Sequence, residues 1–313
     1  SLVLGSSIYA FCIMLATFLG GMAFGSARAR RDLRRRPATI SQFIVVEVLL
    51  GAYGLFSIPF FSQLPEWFVA LWPLMGGSFS GLSWLQFALS AFAMIIPTVL
   101  MGFLFPIVSD LVTRRFAQLG QRLGSAYAIN TLGGIAGSFL GGFVLIPFMG
   151  LPWAIIVAAV VNLTAAAVVY VRVGYTTRPR RLALAGALLA GTIVLSHTVI
   201  IPTWQREVFA AGAYLSPEVY RNSTVQQATA DTKLLYYRDS LNATVSVHQE
   251  GEALFLKVGG KTDASNGLDM STQVLSAHIP LLLHKHPERV LVIGLGSGVT
   301  LGHAGRYPVG RSP

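Results

Sequence analysis

Residues Val290 to Ile293 form an apolar run that passes directly into Gly294, Gly296 and Gly298, with Ser297 between the last two glycines. A strand ending in such a loop turns tightly and lets a ligand approach backbone where a Cβ would stand in the way, the arrangement that cradles nucleotides and nucleosides. The second place where residue type and setting point to chemistry is Glu47, two turns into the apolar stretch from Ile40 to Gly54. A carboxylate there is costly unless it is protonated, paired or open to a watery cavity. Two roles fit it equally: a functional intramembrane acid, and a packing residue bonded across helices to Asn130 or Gln86. Cys12 is the one cysteine, so an intrachain disulfide and a cysteine-based zinc site are both excluded, and no metal centre is expected.

The elements that must position these groups differ between the two halves of the chain. With 53% hydrophobic and 12% charged residues and a mean hydropathy of +0.62, the composition is that of a multi-pass integral membrane protein rather than a soluble domain. Runs long enough to span a hydrocarbon core extend over Val3–Gly25, Ile40–Phe61, Trp84–Val108, Ser125–Gly150, Trp153–Val171 and Leu182–Ile201. Pro65 to Gly81, with Trp67, Phe68 and Trp72 beside Pro65 and Pro73, reads as an interfacial helix anchored by aromatics. His197, near the far end of the last run, reads as an interfacial residue.

Up to Ile201 there are 13 arginines and no lysine, confined to Arg28–Arg36, Arg114–Arg122 and Arg172–Arg181. Such clusters mark cytoplasmic loops. Residues 202–313 carry 10 basic and 9 acidic side chains, so the net charge of +10 belongs to membrane topology and a nucleic-acid partner is excluded. The bilayer is the expected partner, and homo-oligomerisation stays open. Gly133, Gly137 and Gly141 recur every four residues, as Gly21 and Gly25 do, and read as helix packing faces. A phosphate loop over the same glycines is excluded by the missing lysine and preceding strand. If Leu182–Ile201 crosses completely, everything from Pro202 onward lies outside the cytoplasm.

After Ile201 short alternating segments replace the long runs. Lys233–Asp239, Ala243–Glu250 and Ala253–Val258 read as a small antiparallel sheet, and Gly259 and Gly260 turn the chain. Asp269 or Ser271 caps a helix over Met270–Lys285, and Val290–Ile293 follows as a buried parallel strand. The fold class is thus a multi-pass α-helical membrane domain (1–201), then a small antiparallel β-sheet (202–268), then the beginning of an α/β Rossmann-like nucleoside-binding domain of methyltransferase type (269–313).

The string "LKVGGKTDASNGLDMSTQVLSAHIPLLLHKHPERVLVIGLGSGVT", above all "AHIPLLLH" and "RVLVIGLGSG", resembles the spermidine synthase family. The upstream "YYRDSLNATVSV" and the membrane string "YAINTLGGIAGSFLGGFVLIPFMGL" resemble its membrane-embedded branch of fused transporter-like and spermidine synthase proteins. The resemblance implies aminopropyl transfer to a polyamine from decarboxylated S-adenosylmethionine, bound as a co-substrate rather than as a permanent cofactor. It places Gly294, Gly296, Ser297 and Gly298 against the nucleoside and its amino-acid-like tail, Asp263, Asp269 and Gln273 around the amine, and His278 behind them. Helix capping by Asp269 and simple core packing by His278 are the competing roles.

Three departures bear on the substrate. Asp263 stands where soluble members have Gln, Asp269 and Thr272 where they have an Asp-Glu pair with a Tyr, and Ser297 where an acid is usual. The reaction displaces at a carbon beside a sulfonium and needs a neutral amine, hence a base and carboxylates in the site. The ribose-binding acid and the catalytic Asp are expected beyond Pro313, which implies that the 313-residue chain is catalytically incomplete by itself. Two other functions share these features: a transporter or scaffold whose soluble domain senses a nucleoside or polyamine, and an S-adenosylmethionine-dependent methyltransferase.

Overall fold

The computed structural model describes residues 8–75, 79–113, 119–173, 178–220, 222–240, 243–267 and 269–309. The opening residues of the first expected span, Gly76 and Gly77 of the expected interfacial stretch, and Arg114 and Arg115 of the second basic cluster lie outside them. Among the described residues, six helices are long and apolar enough to cross a membrane: Phe11–Leu33, Ile40–Met75, Ser80–Val112, Leu123–Met149, Leu151–Val173 and Leu182–Thr203. Their continuous apolar runs leave the backbone no water to bond, so its polar groups are satisfied within each helix.

The first three are α1 (Ile8–Leu33), α2 (Ile40–Leu71) and α3 (Phe79–Val112). A capping box starts α2, with the Gln42 N–H donating to Thr39 Oγ1 (3.3 Å) and the Thr39 N–H to Gln42 Oε1 (2.8 Å). The helix then runs through Pro59 and Pro65 to Leu71 and closes in a 3-10 turn, Trp72–Met75. The stretch from Pro65 therefore extends α2 instead of forming a helix of its own. Each proline removes one hydrogen bond, a loss tolerated where neighbours hold the helix, and here Leu64 and Phe68 are buried against Leu85 and Leu89 of α3.

Close approach of α1 and α3 explains two of the glycines. A Cβ on Gly25 would press on the Val99 backbone and on Gly102, and Ser26 Oγ donates to the Gly102 carbonyl at 2.9 Å. The other expected packing face is not realised among the described residues. Gly133, Gly137 and Gly141, in α4 (Leu119–Phe139) and the π-helical turn Leu140–Leu145 that follows it, have nothing within 4 Å of a Cβ position. Small residues permit close packing without compelling it, and α4 leans on the bundle nearer its start, where the Tyr127 ring lies 6.3 Å from Phe105.

The chain continues through α5 (Ile146–Met149) into α6 (Leu151–Val173) and α7 (Arg178–Leu195), the last extended by a π-helical turn, Ser196–Ile200. Leu55 and Ile58 of α2 meet Ile156, Ala159 and Leu163 of α6, and Ile200, Trp204 and Phe209 close that core. The His197 ring lies 6.5 Å from Trp153.

Two short helices, α8 (Arg206–Ala210) and α9 (Val225–Ala228), lead to the sheet. Its strands β1 (Lys233–Asp239), β2 (Thr244–Glu250), β3 (Ala253–Val258) and β4 (Lys261–Ser265) form an antiparallel meander in the order β1-β2-β3-β4. Strand β4 is absent from the sequence expectation. Gly259 (φ 58°) and Gly260 (φ 85°) turn the chain straight into it, both in the left-handed region that a two-residue hairpin of this kind requires.

The sheet is held to the membrane helices by specific bonds. Asp239 Oδ2 accepts from the Leu151 N–H (3.1 Å) and Asp239 Oδ1 from Thr244 Oγ1 (2.8 Å). Gly150, which precedes α6, has no side chain to cap that helix, and a carboxylate from β1 does so across the chain. Glu66 Oε1 accepts from the Gln226 N–H (3.0 Å), Ser62 Oγ donates to the Thr203 carbonyl (2.8 Å), and Arg206 lies 5.6 Å over the Tyr237 ring.

On β2, period-two alternation buries Ser246 and His248 together. His248 Nε2 lies 2.9 Å from Ser246 Oγ, and no hydrogen-bond partner of its buried Nδ1 is found among the described residues. Burial, followed by the nearby Lys257, pushes its pKa down to about 4. The folded state therefore favours the neutral ring, and its contribution is intact above the unfolded value of about 6.5 and lost as pH falls towards 4. The expected cost over that window is about 3 kcal/mol. Hydrogen exchange of the β2 amides at pH 7, 5.5 and 4 checks it: His248→Asn should flatten the loss of protection, and an unchanged pH profile in that variant would refute the assignment.

The last segment holds α10 (Met270–Leu283), shorter than the expected helix by two residues, and α11 (Val299–Ala304). Their common core is Ala277, Leu281 and Ala304. The run before the glycine loop departs from expectation. Val290–Ile293 forms no strand, and Leu291 and Ile293 are 82% and 91% exposed. A parallel strand exists only when hydrogen-bonded to neighbours in its sheet, and the one sheet among the described residues is the β1–β4 meander.

Candidate functional site

The glycine loop adopts the conformation that its spacing implies. Gly294, Gly296 and Gly298 have φ of 94°, 54° and 79°, values that L side chains rarely adopt, and Gly298 leads into α11 with its N–H bonded to the Leu295 carbonyl at 2.9 Å. Among the described residues, no atom outside the loop lies within 4 Å of a Cβ position on Gly294 or Gly296. The backbone conformation, rather than lack of space, selects glycine at these two positions.

Three of the sequence-predicted residues, Asp269, Gln273 and Ser297, meet in one network. Asp269 sits just before α10 but makes no side-chain capping bond to that helix. Its carboxylate reaches back to β4, accepting from the Ser265 N–H (2.8 Å) and from Ser265 Oγ. Gln273, one turn into α10, donates from Nε2 to the Ser265 carbonyl (2.8 Å) and to Asp269 Oδ2 (3.2 Å). Its Oε1 accepts from Ser297 Oγ in the glycine loop, and its backbone carbonyl accepts from Thr300 Oγ1 at 2.9 Å. One glutamine thus links sheet, helix and loop. The Ser265 hydroxyl and amide hold the Asp269 carboxyl below its usual range, so Asp269 is anionic at neutral pH, suited to holding a cation and unsuited to removing a proton.

Asp263 stands apart from this network. It pairs with Lys261 (3.4 Å) on β4, and its charge adds to the burial that raises the pKa of Tyr214, whose hydroxyl donates to the Gly259 carbonyl at 2.8 Å. His278 lies behind the loop, with Nδ1 2.6 Å from the Tyr307 hydroxyl and Nε2 3.0 Å from His303 Nδ1. The pKa of His303 is lowered by desolvation, then by Arg306 and His278. The pair is a hydrogen-bonded support between α10 and the end of the described chain. No cluster of metal-ligating side chains is present among the described residues.

Glu47 is buried, at 7% exposure, and borders a cavity of about 710 Å³ between α2, α3 and α4. Asn130 lines the same cavity. Gln86, the other expected partner, does not. It lies near the start of α3, which runs antiparallel to α2, and is about 27 Å along the helix from Leu104 beside the acid.

Sequence reasoning passed over Ser265, Asp239 and His248. Ser265 is legible only once β4 is recognised, and Asp239 only through its contact with α6. His248 had a signal, since "TVSVHQE" puts Ser246 and His248 on one face of β2.

The sequence is 20% identical over 319 aligned residues to a polyamine aminopropyltransferase of Oceanobacillus iheyensis, an alignment that takes in 98% of this chain and 54% of that protein. No protein-family model matches the sequence, and no solved structure matches it. The chain therefore spans about half the length of the curated relative it matches, and its similarity to that aminopropyltransferase is distant but extends over membrane helices and sheet alike.

Proposed function

We propose that this chain belongs to a membrane-anchored aminopropyltransferase, with residues 202–309 forming part of the site for decarboxylated S-adenosylmethionine and an amine acceptor. The observation that carries the reading is the Asp269–Gln273–Ser297 network, which ties the glycine loop to the sheet and holds an anionic carboxylate beside it. The glycine backbone faces the nucleoside, and Asp269 and Gln273 flank the amine, with Asp263 at the sheet's edge as a further anionic contact. Because Asp269 is held ionised, its role is to attract an ammonium group, and the base that frees the amine is a different residue. The distant similarity to an aminopropyltransferase supports the same reading.

The test is transfer of a labelled aminopropyl group from decarboxylated S-adenosylmethionine to putrescine by the native protein purified in detergent. Turnover that falls at least tenfold in Asp269→Asn is the expected result. Transfer of a methyl group from S-adenosylmethionine, with no aminopropyl transfer, would replace this reading by the methyltransferase one.

A further inference from the structure

The cavity beside Glu47 sits where α2 begins, α3 ends and α4 begins, so it lies at the end of the helices that carries the arginine-rich loops. Residues 202–240 bond to the opposite end, at Ser62, Glu66 and Leu151. Ser62 is 15 residues beyond Glu47 on one continuous helix, a rise of about 22 Å, so this cavity is separate from the glycine-loop site.

Its lining has a definite chemistry. Glu47 supplies one carboxylate, and among the described residues that line the cavity there is no lysine, arginine or histidine. No hydrogen bond or ion pair to that carboxylate is present among the described residues. Gln121, Ser125 and Asn130 of α4 line the cavity and offer amide and hydroxyl oxygens. Phe43 and Phe105 supply aromatic walls of the kind that attract cations, and the rest is aliphatic. A volume of about 710 Å³ is in the range of small-molecule sites and many times the roughly 30 Å³ of a water.

We propose that this cavity binds an apolar organic monocation, such as a protonated long-chain amine, with its charge on Glu47 and its hydrocarbon against the aromatic and aliphatic walls. One buried carboxyl, ionised when a cation lies beside it, matches one positive charge. A polyamine would leave its second and third ammonium groups unpaired against apolar walls, a costly arrangement, so the ligand here is distinct from the amine acceptor proposed for the soluble site.

The experiment measures binding of radiolabelled tetraphenylphosphonium to the purified protein in nanodiscs, with competition by decylamine, decanol and spermidine. The expected result is saturable binding that decylamine displaces at concentrations where decanol and spermidine do not, and an affinity at least tenfold weaker in Glu47→Gln. If Glu47→Gln fails to yield folded protein by gel filtration, Ala126→Trp, which fills the cavity and keeps the acid, must abolish binding. Absence of saturable binding, wild-type affinity in the folded Glu47→Gln or in Ala126→Trp, displacement by decanol as effective as by decylamine, or stronger displacement by spermidine would each overturn the proposal.

Discussion

Gln273→Leu is expected to weaken binding of decarboxylated S-adenosylmethionine about 30-fold, the equivalent of about 2 kcal/mol. The substitution keeps the bulk of the side chain and the helical propensity of α10 but deletes both ends of the bridge. Ser297 loses its acceptor, the Ser265 carbonyl loses a donor, and Asp269 keeps only its bonds to Ser265. Leaving polar groups unpaired costs about 1–3 kcal/mol each where they are buried, and less here because water reaches part of the network. Gln273→Glu is the informative companion. It places a second negative charge beside Asp269, so it should impair binding at neutral pH and recover part of it as pH falls and one carboxyl is protonated. Isothermal titration on the detergent-purified protein reads both. Ser276→Ala, one turn on and outside the network, with its hydroxyl bonded back to the Thr272 carbonyl, should bind as the parent does, and an unchanged affinity in Gln273→Leu would remove the network from the ligand site.

The parts of this protein that were legible in the sequence are those set by continuous local pattern. Membrane-length runs announce themselves because lipid demands apolar side chains and internally bonded backbone, and strands β1 to β3 follow from alternation bounded by turn residues. Pro65 was misleading because its effect depends on whether neighbours hold the helix, and Leu85 and Leu89, which bury the last turns of α2, lie about 20 residues away in sequence. Strand β4 was hidden for a different reason. "KTDAS" is polar and low in β propensity, and it pairs because Gly259 and Gly260 fold it back along β3. Val290–Ile293 shows the opposite failure, since its pattern is strongly strand-like but a strand is a property of pairing. At the candidate site the glycine loop was readable from spacing alone. Its coupling to Ser265 through Gln273 was not, because that contact depends on β4, α10 and the loop meeting in space.

A fusion of alkaline phosphatase after Val258 is expected to be active and a green fluorescent protein fusion at the same point dark, placing the sheet outside the cytoplasm. Arg30 and Arg31 end α1, and Arg172 ends α6, so by the bias of arginine towards cytoplasmic loops these ends are expected on the cytoplasmic side. Asp239 caps the other end of α6, at Leu151, and a helix of 23 residues rises about 34 Å, enough to cross a hydrocarbon core of about 30 Å. On α2, which starts beside the first arginine cluster, Gln226 bonds to Glu66 near the far end. The sheet and its leader are therefore held at the end of the helices opposite the arginines, and the apolar helix Leu182–Thr203 that delivers the chain there is long enough to span. If the domain acts as proposed above, on that side it would meet a sulfonium-nucleoside donor outside the cytoplasm. Phosphatase activity with no fluorescence would support the crossing, and fluorescence without phosphatase activity would overturn the topology and return the site to a cytosolic donor.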